Sequence, residues 1–234
     1  MLISCWSVKG GSGATVVAAA LAVVLARRGA RVVAVDLAGD LPGAFGGAEP
    51  RGPGVADWIA CGPDVAGDGL ERIAYPPVAG LPSLELLPRG RAALAAPAGI
   101  LPATDGRLPA ALAGLDASAV VVDCGSGAAA LGGAAFEAAG AAGISLLVVR
   151  GCFLALQRAV AWPQRPSGLV VIEEPGRSVR PDDIASILKT PVLATVPWDP
   201  AVARAVDAGT LASSGVGQRL VRSALGRQAD EWAA

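Results

Sequence analysis

From Lys9 to Thr15 the chain reads Lys-Gly-Gly-Ser-Gly-Ala-Thr, and this stretch decides the fold. A short apolar run, Met1 to Trp6, precedes it, and an apolar stretch of helical character, Thr15 to Arg28, follows. Strand, glycine-rich turn and helix start together cradle phosphate: N–H groups of the turn point at the anion and the helix dipole adds positive potential. The residues placed for this are Lys9, Gly10, Gly11, Ser12, Gly13, Ala14, Thr15 and Val16. A phosphate loop ordinarily closes on Gly-Lys-Ser/Thr, its lysine reaching the β- and γ-phosphates and its hydroxyl binding magnesium. Here the hydroxyl is Thr15, the lysine position holds Ala14, and a lysine stands at the head of the loop instead. Only Lys9 and Lys189 are lysines among the 19 basic residues, so Lys9 is not background in an arginine-rich chain. Its compact ammonium suits a phosphate nest better than a planar guanidinium does. The plainer alternative is a glycine-rich turn with only a structural role, capped by Thr15.

Outward from this loop, the runs Val32 to Val35, Leu84 to Leu87, Val120 to Val122, Ile144 to Val149, Leu169 to Ile172 and Val192 to Val196 join the first as seven candidate strands. Near-continuous Val/Ile/Leu runs separated by helical stretches predict a parallel sheet covered on both faces. Helices are predicted over Val55 to Ala60, Arg107 to Ala113, Ala128 to Ala139, Phe153 to Ala161, Asp182 to Leu188 and roughly Gly217 to Trp232. Asp199-Pro200 is a helix start, with Asp as N-cap and Pro in the first turn. The expected fold is a single doubly wound, mostly parallel α/β sheet with helices on both faces, residues 1–234 forming one domain. The segment Arg89 to Gly106, rich in Ala, Pro and Gly, is the best candidate for a flexible loop.

Composition bounds the function. A net charge of −1 gives no basic footprint for nonspecific DNA binding. The chain has no histidine, which removes the commonest general base and metal ligand. Cys5, Cys61, Cys124 and Cys152 are too scattered for a Cys-x-x-Cys pair and are expected to be four buried thiols of a reducing, cytoplasmic compartment. The positive mean hydropathy of +0.53 comes from Ala and Val of sheet and helix cores, not from a membrane span. The chain shows no signal peptide pattern.

The loop resembles the deviant Walker A phosphate loop of the ParA/MinD family, Lys-Gly-Gly-x-Gly-Lys-Ser/Thr, in degenerate form. Similarity continues along nearly the whole chain. Arg31 to Asp36 resembles the second strand, which in the family runs Asp-x-Asp into a switch loop; the second acid, which positions water, falls on Ala38. Ala119 to Gly127 resembles the Walker B strand and second switch, with Gly125 in place of the usual proline. Pro191 to Pro200 resembles the strand and loop that close over the base, and Glu173 and Glu174 stand where relatives often have an Asn that reads it. The resemblance implies ATP/ADP and Mg2+ as cofactors, with Thr15 and Asp123 around the metal and Pro197 near the base. It implies a homodimer in which Lys9 reaches the partner's nucleotide, and an unidentified protein partner. The atypical loop is closest to the pilus-associated CpaE/TadZ branch. The last helix is read as the closing helix of the domain, so no membrane-targeting helix is expected.

Losing the loop lysine should weaken phosphate binding by roughly 1.5–3 kcal/mol. Losing the acid at Ala38 should slow hydrolysis further. Lys9, Asp36 and Asp40 are the candidate catalytic residues: Asp40 stands in for the missing acid if the loop shifts, and Lys9 acts either across the dimer or, turned inward, within the subunit. Three functions are consistent with this pattern. One is a spatial organiser that recruits a partner with weak or absent hydrolysis, a pseudo-ATPase. Another is an active switching ATPase that uses Lys9. The last is a small-molecule enzyme on the same fold, like dethiobiotin synthetase, which would need polar substrate-binding residues that the Ala/Gly-rich loops scarcely offer.

Overall fold

The computed structural model describes residues 1–48, 50–65, 67–76, 80–92, 100–127, 133–213, 227–228 and 231–232. Seven strands form one sheet: β1 (Leu2–Ser7), β2 (Val32–Asp36), β3 (Leu84–Leu87), β4 (Ala119–Ser126), β5 (Ile144–Arg150), β6 (Gly168–Glu173) and β7 (Val192–Pro197). Their order is β3-β2-β4-β1-β5-β6-β7, and every neighbouring pair is parallel. Buried on both faces, these strands need apolar side chains in both directions, which is why they read as unbroken runs rather than alternating ones.

Helices within the described residues accompany the sheet: α1 (Ala14–Arg27), α2 (Leu41–Phe45), α3 (Val55–Ala60), α4 (Arg107–Ala113), α5 (Gly133–Ala141), α6 (Phe153–Val160), α7 (Pro181–Leu188) and α8 (Pro200–Asp207). One core layer packs α1, α2 and α8 against the sheet face formed by Ile3, Ala34, Val121, Val148 and Val170. The other packs α3 to α7 on the opposite face, where Trp6 stacks on Trp162 with ring centroids 5.2 Å apart. Helix α1 is buried from Val17 to Ala26 without interruption. The sheet covers one side of it and α2 and α8 the other, so its apolar composition all round is what its position requires.

The predicted strands are all present, the sheet is wholly parallel, and the Asp199-Pro200 start is realised, with Asp199 accepting from the Ala201 amide at 2.7 Å. The predicted Ala128 to Ala139 helix is present as α5 over its described part, residues 128–132 lying outside the described set, as do 93–99 of the Arg89 to Gly106 loop and most of the predicted last helix. Helix α2 is an element not predicted from the sequence. One expectation is corrected. The cysteines are not all buried: Cys5 and Cys124 are, but Cys61 is exposed and Cys152 partly so, because each flanks a helix end rather than lying inside the sheet.

Helices α2 and α8 meet through their C-terminal glycines. Gly46 ends α2 and Gly209 follows α8, both in the left-handed region (φ 84° and 64°). A Cβ on Gly46 would lie 1.9 Å from the Gly209 carbonyl oxygen. The two backbones touch where no other residue fits.

Candidate functional site

Parity along the strands gathers the polar residues. Side chains two apart share a face, so Asp36 follows Ala34, Asp123 follows Val121, and Arg150 follows Val148 onto the face that carries α1. All of them stand at carboxyl ends of strands, where open parallel sheets hold ligands.

The Lys9–Thr15 loop leaves β1 at this edge. The hydroxyls of Ser7 and Ser12 both donate to the Lys9 carbonyl oxygen at 2.8 Å and pin the turn. Gly11 and Gly13 have φ of 76° and 94°, which a side-chain-bearing residue would adopt only with strain. Gly13 caps α1 without any side-chain hydrogen bond, so the first-turn amides of this helix have no side-chain acceptor. A Cβ on Gly11 would meet nothing within 4 Å. Beside the loop lies a cavity of about 290 Å³ lined by Ser7, Gly11 to Thr15, Ala38, Asp40, Gly125 and Ser126.

Below it, Asp36 and Asp123 are register neighbours and fully buried. Asp36 Oδ1 accepts from the amides of Ala38 (3.1 Å) and Gly39 (2.6 Å), and Asp123 Oδ1 from Gly125 (3.0 Å). The second oxygen of each carboxylate accepts no hydrogen bond. Burial, with the charge of Asp123 added, pushes Asp36 up to about 7. Burial likewise raises Asp123 to about 6, partly opposed by the Thr15 hydroxyl nearby and the Gly125 amide. Asp40, exposed at the start of α2, adds repulsion to both. No basic side chain is among the groups that set the acidity of either. Two buried carboxylates with orphaned oxygens, facing a threonine hydroxyl, fit a hard divalent cation with oxygen ligands.

On the other side of the loop is a mostly apolar cavity of about 260 Å³, walled by Ser12, Gly13, Val16, Ile172, Val196, Pro197 and Trp198, with Arg150 at its edge. The structure therefore brings Gly11 to Thr15, Ala38 and Asp40 to one cavity with Asp36 and Asp123 beneath it, and Ser12, Gly13, Val16 and Pro197 to the adjoining one. Gly10 lies outside both, exposed on the loop's crest. Lys9 is half-buried and lines neither cavity, and its charge adds to the Ala155 amide in lowering the Cys152 thiol. Glu173 is exposed, while Glu174 is ion-paired to Arg150 and Arg177, both at 2.6 Å. Arg150 was missed in the sequence because only the strand order reveals that its strand borders β1.

The family model described as the CobQ/CobB/MinD/ParA nucleotide binding domain matches residues 3–212. The chain belongs to the CobQ/CobB/MinD/ParA family. Comparison with curated protein sequences found no significant match. Solved structures share the family fold. The cell division ATPase MinD of Pyrococcus furiosus is 24% identical over 99% of this chain and 98% of its own, with a TM-score of 0.75. MinD of Pyrococcus horikoshii, solved with Mg-ADP, is 22% identical over 100% and 97%, with a TM-score of 0.73. McdA(D38A) of Cyanothece, solved with ATP, is 16% identical over 98% and 95%, with a TM-score of 0.70. At these identities the likeness is one of fold. Among the described residues, this CobQ/CobB/MinD/ParA member has no helix long and apolar enough to cross a membrane.

Proposed function

We propose that this chain is a nucleotide-binding spatial organiser of the ParA/MinD kind, one domain that binds ATP or ADP with Mg2+, hydrolyses weakly or not at all, and recruits a protein partner as a dimer. The observation that carries this reading is a glycine-rich loop at a helix start beside buried Asp36 and Asp123, with Ala14 and Ala38 where the resemblance puts the phosphate-binding lysine and the water-positioning acid. The open first-turn amides of α1 bind phosphate, Thr15 and Asp123 hold the metal with Asp36 behind them, and the apolar cavity at Pro197 takes the base. The metal, when bound, supplies the positive charge that the orphaned carboxylate oxygens lack. Asp40 lines the same cavity as Ala38 and is exposed there, placed to stand in for the acid that Ala38 lacks.

Dimerisation is supported by a second feature. Phe153 and Leu154 open α6 with 74% and 55% of their surfaces exposed. They follow Cys152, which feels the charge of Lys9. An apolar step beside a lysine at the phosphate edge suits a second copy whose nucleotide needs a cation in trans. Calorimetry with ATP and ADP, with and without Mg2+, tests the reading: the expected result is Mg2+-dependent binding with little turnover. No binding at millimolar nucleotide would leave the loop structural, and rapid turnover would make the protein an active switch.

A further inference from the structure

The missing loop lysine raises the question of which cation, if any, meets the phosphates from within the same subunit. Lys9, at the head of the loop, lines neither of the two cavities. Arg150 is better placed. It ends β5, the strand beside β1, it lies by parity on the α1 face, and it lines the apolar cavity, which shares Ser12 and Gly13 at the helix start with the cavity beside the loop.

Its present partner can release it. Arg150 Nη1 donates to Glu174 Oε1 at 2.6 Å. The other oxygen of Glu174 is held by Arg177 through both Nε and Nη2. Glu174 thus has two guanidinium partners, and losing one would not leave its half-buried carboxylate without a counter-charge. Arg150 itself is imperfectly satisfied, since its Nε is buried and has no acceptor. A guanidinium forms paired, charge-assisted hydrogen bonds to phosphate oxygens and stays protonated in any pocket.

We propose that Arg150 is the phosphate-binding cation within the subunit, substituting for the lysine absent at Ala14. On nucleotide binding it exchanges Glu174 for a phosphate oxygen, while Arg177 keeps Glu174. This rests on the nucleotide-binding reading above. Glu174 is then a brake on affinity, holding in the empty site the group that the ligand needs.

The test measures affinity for ADP and for inorganic pyrophosphate, which has no base, in wild type, Arg150→Ala and Glu174→Gln, with thermal melts to confirm folding. Arg150→Ala should lose about ten- to a hundredfold in affinity for both ligands. Glu174→Gln should bind both more tightly than wild type, a gain that a purely structural ion pair would not give. Unchanged affinity in Arg150→Ala, or a loss confined to ADP, overturns the proposal; the latter would make Arg150 a contact to base or ribose. If Arg150→Ala fails to fold, weaker binding by Glu174→Gln overturns it alone. Wild type that binds neither ligand overturns the nucleotide reading itself.

Discussion

Asp36→Asn should stabilise the protein in the absence of nucleotide and metal, and the gain should depend on pH. The folded protein raises this carboxyl from 3.8 to about 7. Between those values the folded state binds more protons than the unfolded one, so stability falls as pH rises through the window and the cost is complete above it. The full span corresponds to about 4 kcal/mol. Asparagine keeps an oxygen for the Ala38 and Gly39 amides and carries no charge. Its NH2 group, however, replaces an oxygen without a partner, and an unsatisfied buried donor gives back about 1–3 kcal/mol. The net gain at pH 8 is therefore about 1–3 kcal/mol, or a Tm higher by roughly 2–12 °C for a chain of this length. At pH 4, where the wild-type carboxyl is protonated when folded, the advantage should vanish or reverse. Thermal unfolding of both proteins at the two pH values measures this. A variant that is less stable at pH 8, or a gain equal at both values, would show that Asp36 is not a charge held against its solvation for a counter-ion. Mg2+ with ADP should then stabilise wild type more than the variant.

Ala14→Lys should tighten ADP binding by about 1.5–3 kcal/mol in calorimetry; unchanged affinity would mean that this position does not face phosphate. Hydrolysis should recover only partly in that variant and further when Ala38→Asp is added, as read by phosphate release. Thr15→Ala should shrink the Mg2+ dependence of ADP affinity, and an undiminished dependence would remove Thr15 from the metal site. In sedimentation with nucleotide, Lys9→Ala and Phe153→Asp should each shift the wild-type dimer toward monomer; identical monomeric behaviour of all three proteins would dispose of the dimer.

The sheet was legible because every strand is buried on both faces and so announces itself as an unbroken apolar run. Asp36 and Asp123 were legible for the same reason: each is an acid ending such a run, where only a site has use for one. Helix α2 was not, since Pro42 and Gly43 are poor helix formers and the segment is held by packing on α1 and α8. The arginine cluster escaped for a different reason. Nothing local to Arg150 says that its strand borders β1, or that Glu174, on the next strand but for one residue, turns back to meet it. Contacts set by strand order appear only once the order is known. The exposure of Cys61 and Cys152 was likewise a matter of helix ends and not of residue type.

The contact of Gly46 with Gly209 has a mechanical side. Helix α2 opens with Asp40, beside the buried acids, and α8 opens just past Pro197, beside the apolar cavity. At this one contact backbone rests on backbone, with no side chain between to give way. The two rims of the cleft are therefore joined, at this pair of glycines, by a contact that leaves no room for a side chain. Any residue with a side chain at either glycine would have to push the other helix's end away, so a change at this joint reaches both rims at once.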